Sequence, residues 1–123
     1  MSDKQPVQVS FTSEFQKAVK KLRKKYPQIR QDIQPLIDVL LLGETPGDQI
    51  QSIGDTVYKV RVANRDAQRG KSGGYRVIYY IRTVNQIILL TIYSKSDRSD
   101  ISSQAIQELI TGLPENDDDG RSD

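Results

Sequence analysis

A chain of 123 residues has the size of one ordinary domain, because two domains would each be too small to bury an adequate core. It contains no cysteine and no histidine, which excludes disulfides, thiolate chemistry, zinc fingers and an imidazole general base. The net charge of +2 conceals an uneven distribution: residues 115–123 hold five acids and one arginine, so the preceding 114 residues carry +6, and a basic body suggests an anionic partner.

No apolar run approaches the roughly 20 residues that span a bilayer, and the amino end lacks the apolar core of a secretory signal, so a cytoplasmic location is expected. Val7 to Ser10 reads as a short strand after Pro6. Thr12 or Ser13 can cap the helix that follows, Ser13 and Gln16 having the spacing of a capping box. Phe15, Val19, Leu22 and Tyr26 recur at helical spacing, with lysines and Arg23 in the other directions. Those lysines read equally well as a solvated face or as phosphate contacts.

Pro27 ends this helix or opens the next, whose apolar stripe is Ile29, Ile33, Leu36, Ile37 and Leu40, with a kink or interruption expected at Pro35. The pair predicts a helical hairpin. Gly43 to Gly54 reads as a loop with a short extended piece around Gln49 to Ser52. From Val57 the period becomes two: Tyr58, Val60 and Val62 share one face of a strand, and Val57, Lys59 and Arg61 the other. Further strands are predicted over Tyr75 to Arg82 and Ile87 to Tyr93, and tight connections favour an antiparallel meander. Ile88, Leu90 and Ile92 are expected to pack beneath the helices, as is Tyr79 with Val77 and Ile81. Ser99 or Ser102 can cap a final helix that Gly112 and Pro114 stop. The expected fold is therefore α+β: an antiparallel sheet packed against an amino-terminal helical hairpin, with a short carboxy-terminal helix. One domain over residues 1–114 precedes an acidic, disordered tail over 115–123.

Lys59, Arg61, Arg65, Arg69, Lys71, Arg76 and Arg82 fall in one stretch whose only acid is Asp66. Lys59 and Arg61 alternate with apolar residues and so project together; such neighbouring cations cost stability unless solvent screens them or an anion fills the gap. Phosphate suits that gap, because arginine offers a planar fork of donors and lysine a point charge. A solvated sheet face is the bland alternative. The loop RGKSGG is not a phosphate-binding P-loop: Arg65 stands where the first glycine belongs, and a strand rather than a helix follows. Gly73 and Gly74 read instead as turn residues. Tyr80 shares the face of Arg76 and Arg82, and Tyr93, two residues before Lys95, is the better placed tyrosine for stacking or donation to RNA.

The segments KVRVANRDAQRGKSGGYRVIYY and ILLTIYSKSDRSDIS resemble RelE-type toxins of bacterial toxin-antitoxin pairs, in particular the HigB-like branch, and the likeness runs from Val7 to about Leu113. The resemblance implies a small ribonuclease that cuts messenger RNA in the ribosomal A site, needs no metal or cofactor, and is held inactive by a cognate antitoxin protein. Its chemistry is attack of a ribose 2′-hydroxyl on the adjacent phosphate. Lys59, Arg61, Arg76 and Tyr93 match the catalytic positions that the resemblance implies. Arg61 and Arg76 would clamp phosphate, and Lys59 would serve as a base only where neighbouring cations depress its pKa. Lys71, Lys95, Tyr80 and Arg82 are the expected RNA-binding residues. Some relatives place a histidine or tyrosine near the closing helix, where this chain has Ser102. That departure leaves two further readings: a toxin-like module that binds RNA or protein without catalysis, and a gyrase-inhibiting relative.

Overall fold

The computed structural model describes residues 6–51, 53–66 and 74–114. Among these, strand β1 (Gln8–Phe11) leads into helices α1 (Ser13–Arg23) and α2 (Ile29–Leu41) and a two-residue strand, β2 (Asp48–Gln49). Strands β3 (Val57–Val62), β4 (Tyr75–Thr83) and β5 (Gln86–Ser94) follow as a meander, and helix α3 (Ser103–Thr111) closes the fold. The architecture is the expected α+β one. The strands form one sheet in the order β1-β5-β4-β3-β2. Pairing is antiparallel throughout the meander and between β2 and β3, but β1 runs parallel to β5, so the sheet is mixed rather than antiparallel. Parallel neighbours need a long crossover, and here the helical hairpin and the strands before β5 supply it. Among the described residues no helix is long and apolar enough to cross a membrane.

Thr12, not Ser13, caps α1. Its hydroxyl accepts from the Phe15 N–H at 2.9 Å and donates to the Leu90 carbonyl at 2.8 Å, so one side chain both caps the helix and pins it to β5. Ser13 is already helical, and the Ser13–Gln16 capping box does not form. Helix α2 runs without interruption through Pro35, which removes one backbone donor but does not end the helix.

Hydrophobic side chains cover both faces of the sheet. On one, Phe15, Val19, Ile29, Ile33 and Leu40 of the hairpin pack on Val77, Tyr79, Leu89 and Ile92. Tyr79 is fully buried, and its hydroxyl donates to the Pro46 carbonyl. On the other, Ile106 of α3 packs on Val57, Ile78, Ile88 and Leu90. A nine-residue helix is only about 14 Å long, so α3 covers part of this face and leaves the rest for polar side chains.

The strict alternation expected along β5 breaks at a bulge. Thr91 pairs with Ile78 but Leu89 pairs with Tyr79, so Leu90 is an extra residue. Ile88 and Leu90 therefore face α3, whereas Ile92 belongs to the hairpin side. The three do not share one face, as alternation had implied. The same parity change carries Tyr93 onto the α3 side.

Candidate active site

Three residues form a row across three strands. Arg61 of β3 pairs with Arg76 of β4, and Arg76 pairs with Tyr93 of β5. With adjacent strands about 4.8 Å apart, the row is roughly 10 Å wide. Lys59 lies on the same face of β3, two residues before Arg61. All four lie on the side that α3 only partly covers. Arg61 is exposed and Lys59 half-buried, while Arg76 and Tyr93 are 8% and 5% exposed. Arg76 donates from one guanidinium nitrogen to the Tyr75 carbonyl at 3.2 Å.

The return from β5 to α3 adds two residues that the sequence reading did not single out. Asp100 Oδ1 accepts from Lys59 Nζ at 3.1 Å, from the Tyr93 hydroxyl at 3.3 Å and from the Ile101 N–H at 2.8 Å. The Arg98 guanidinium sits 5.7 Å from the centre of the Tyr93 ring, within reach of a cation–π contact. Local hydrogen bonds hold the segment: the N–H groups of Asp97 and Arg98 both donate to the Ser94 carbonyl at 3.0 Å, and the Ser102 hydroxyl caps α3 by accepting from the Ala105 N–H. The signal was present in SKSDRSDIS, because a chain that leaves β5 and turns into a helix over the same face must pass Tyr93.

Electrostatics follow from these contacts. Burial, then the nearby charge of Asp100 and the bond to it, push the Tyr93 phenol above its ordinary value, against the opposing charges of Arg76 and Arg98. Tyr93 is therefore a neutral hydrogen-bond donor near pH 7. Asp100 is held below the usual carboxylate range, chiefly by the Ile101 N–H and next by Lys59. The nearest charged partner of the Lys59 amine is the Asp100 carboxylate at 3.1 Å, not another cation.

The remaining sequence-selected residues are dispersed. Tyr80 lies four residues along β4 from Arg76, about 13 Å away, where it packs against the apolar cluster under α3. Arg82, farther along the same strand, donates to the Pro114 carbonyl at 2.6 Å. Neither joins the row. Lys95 follows β5, and its backbone N–H donates to the Gly74 carbonyl at 3.0 Å, which places it beside the start of β4. Lys71, Gly73 and residues 115–123 lie outside the described residues. Gly74 does not need left-handed backbone; a Cβ there would stand 2.4 Å from the Val62 carbonyl oxygen, so close approach of two strands is what demands glycine.

The root of the loop after β3 is anchored to α2. Arg65 Nε lies 3.3 Å from Oδ1 of the buried Asp32, whose Oδ2 accepts from the Arg65 N–H at 3.3 Å. Asp66 Oδ2 accepts from the Gln28 N–H at 2.8 Å.

Sheet, hairpin and short closing helix together define a small α+β protein with cations gathered at one end of one sheet face. The profile of the family described as the RelE toxin of the RelE/RelB toxin-antitoxin system matches residues 12–112. This chain belongs to that toxin family.

Proposed function

We propose that the protein is a metal-independent endoribonuclease toxin of the HigB-like branch, cutting messenger RNA in the ribosomal A site and neutralised in the cytoplasm by a cognate antitoxin. The observation that carries this reading is the row Arg61–Arg76–Tyr93 with Lys59 on the same face. In the reaction the ribose 2′-hydroxyl loses its proton and attacks the adjacent phosphorus. The 5′-oxygen leaves with a proton, and a cyclic phosphate remains. Extra negative charge develops on the non-bridging oxygens, where preorganised cations are most effective. Arg61 and Arg76 clamp those oxygens, and Lys59 adds charge. Tyr93, neutral at physiological pH, donates a hydrogen bond to the ribose or the leaving oxygen. Lys71 and Lys95 hold flanking phosphates, and Tyr80 and Arg82 face RNA farther along the strand.

Induced expression of wild type, Arg76→Ala and Tyr93→Phe, with cleavage mapped on translated messages, tests the proposal. Wild type is expected to arrest growth and cut messages at ribosomes, with both variants impaired and with EDTA leaving the chemical step unchanged. The absence of histidine, with Ser102 near the closing helix, favours a second reading as a non-catalytic binder. Absence of toxicity would support that binder. Growth arrest with intact messages would point to gyrase inhibition.

A further inference from the structure

Asp100 is the acid bonded within the cationic row, and its placement is specific. A single oxygen receives a lysine ammonium from β3, a tyrosine hydroxyl from β5 and a backbone N–H from the entry to α3. Strands β3 and β5 are not neighbours; β4, with Arg76, runs between them. The two ladders through β4 hold the backbones of Lys59 and Tyr93 two strands, roughly 10 Å, apart. Only a side-chain contact can bring the ammonium and the hydroxyl together. The Asp100 side chain is 63% exposed, but the Ile101 N–H bonds its carboxylate to its own backbone, and that backbone runs directly into a helix whose Ile106 is 1% exposed.

Resting on the nuclease reading, we infer that Asp100 is the positioning residue of this site: one carboxylate oxygen clasps Lys59 and Tyr93 across the strand that carries Arg76, so that ammonium and hydroxyl address one phosphate together. Long lysine side chains lose much rotamer freedom when fixed, and a misplacement of about 1 Å costs up to about a hundredfold in rate. A clasp formed before RNA arrives removes that cost from the reaction. It also keeps the hydroxyl protonated, because a phenolate would face the carboxylate. The other charged groups around Tyr93 are Arg76 on β4 and Arg98 over the ring, with Lys59 reaching it through the shared oxygen.

The test uses the full chain with Asp100→Asn, which keeps the shape, and Asp100→Ala, which removes the acceptor. Both are expected to cut translated message on the order of 10- to 100-fold more slowly, while RNA affinity changes less than about threefold. A second readout needs no activity: the Tyr93 titration, isolated as the difference between each protein and its Tyr93→Phe counterpart by ultraviolet absorbance. It is expected to move to lower pH in Asp100→Asn, since both the charge and the strong acceptor are gone. Cleavage by Asp100→Ala at the wild-type rate would overturn the clasp. So would tighter RNA binding with faster cleavage, which would make the carboxylate a competitor of phosphate. An unmoved Tyr93 titration in folded Asp100→Asn would overturn it as well. A Tyr93 titration shifted in Asp100→Asn, together with a wild type that cuts no RNA, would sink the nuclease reading and leave the clasp standing.

Discussion

Arg61 and Arg76 stand directly opposite each other across β3 and β4, and among the described residues neither has an ion-pair partner. Like charges facing across antiparallel strands destabilise a sheet by roughly 0.2–1 kcal/mol. Replacing Arg61, which is exposed, by threonine is therefore expected to raise stability by about that amount in urea unfolding. The same change should slow RNA cleavage roughly a hundredfold, because a charge aimed at the transition state is lost. Arg76→Ala differs: this side chain is 8% exposed, so truncation also removes packed stem and leaves stability unchanged or lower. Arg61→Thr that is both less stable and fully active would show that the pair is an ordinary solvated surface.

Much of this arrangement was legible from residue order. Alternation along β3 put Lys59 and Arg61 on one face, and helical spacing marked Phe15, Val19, Ile29 and Ile33 as the hairpin's buried stripe, because both periods are fixed by backbone geometry. What alternation could not yield was the bulge at Leu90, since an extra residue obeys no period; grouping Ile92 with Leu90 failed for that reason. The parallel pairing of β1 was likewise hidden, being a relation between segments more than 70 residues apart in the chain. Asp100 escaped because its role depends on where a loop turns, and turns of this kind are set by tertiary contacts such as the capping of α3 by Ser102.

Salt dependence separates charge from hydrogen bonding at the row. Each phosphate neutralised on single-stranded nucleic acid contributes about 0.7 to the slope of log affinity against log salt. Arg61→Ala is expected to flatten the measured slope for a short single-stranded RNA by about that amount. Tyr93→Phe removes only a hydroxyl and should leave the slope unaltered. Equal slopes for wild type and Arg61→Ala would mean that this arginine does not touch the RNA backbone.

Gly47 offers a structural handle on Lys59. Its φ is +99°, and a Cβ there would lie 2.4 Å from the Lys59 carbonyl oxygen, so both conformation and space require glycine. Gly47→Ala is expected to cost on the order of 1–3 kcal/mol in stability. The displaced strand is the one that carries Lys59, so cleavage should fall even at temperatures where the variant remains folded. Circular dichroism melts beside a cleavage assay would check both parts. An alanine variant as stable as wild type would show that the turn leading into β2 yields against β3 more easily than its geometry implies.

Acid stability should expose the buried carboxyl at the root of the loop after β3. Asp32 has a fully buried side chain, and burial raises it above its ordinary 3.8 against the lowering effects of the Arg65 N–H and guanidinium. A carboxyl with a higher value folded than unfolded binds its proton more tightly in the native state. Its contribution to stability therefore grows as pH falls through the folded value toward about 3.8, and stops growing below that. Asparagine does not titrate, so wild type should gain on Asp32→Asn as the solution is acidified from pH 7 toward pH 4, read from urea midpoints at each pH. Asp100 has the opposite sign: its folded value lies below 3.8, so its contribution persists through this window and is lost only at lower pH. Asp100→Asn should accordingly keep a constant offset from wild type over the range in which the Asp32→Asn offset changes. A constant Asp32→Asn offset would mean that Asp32 carries its charge in the native state at no cost, and that the Arg65 contact fully offsets burial.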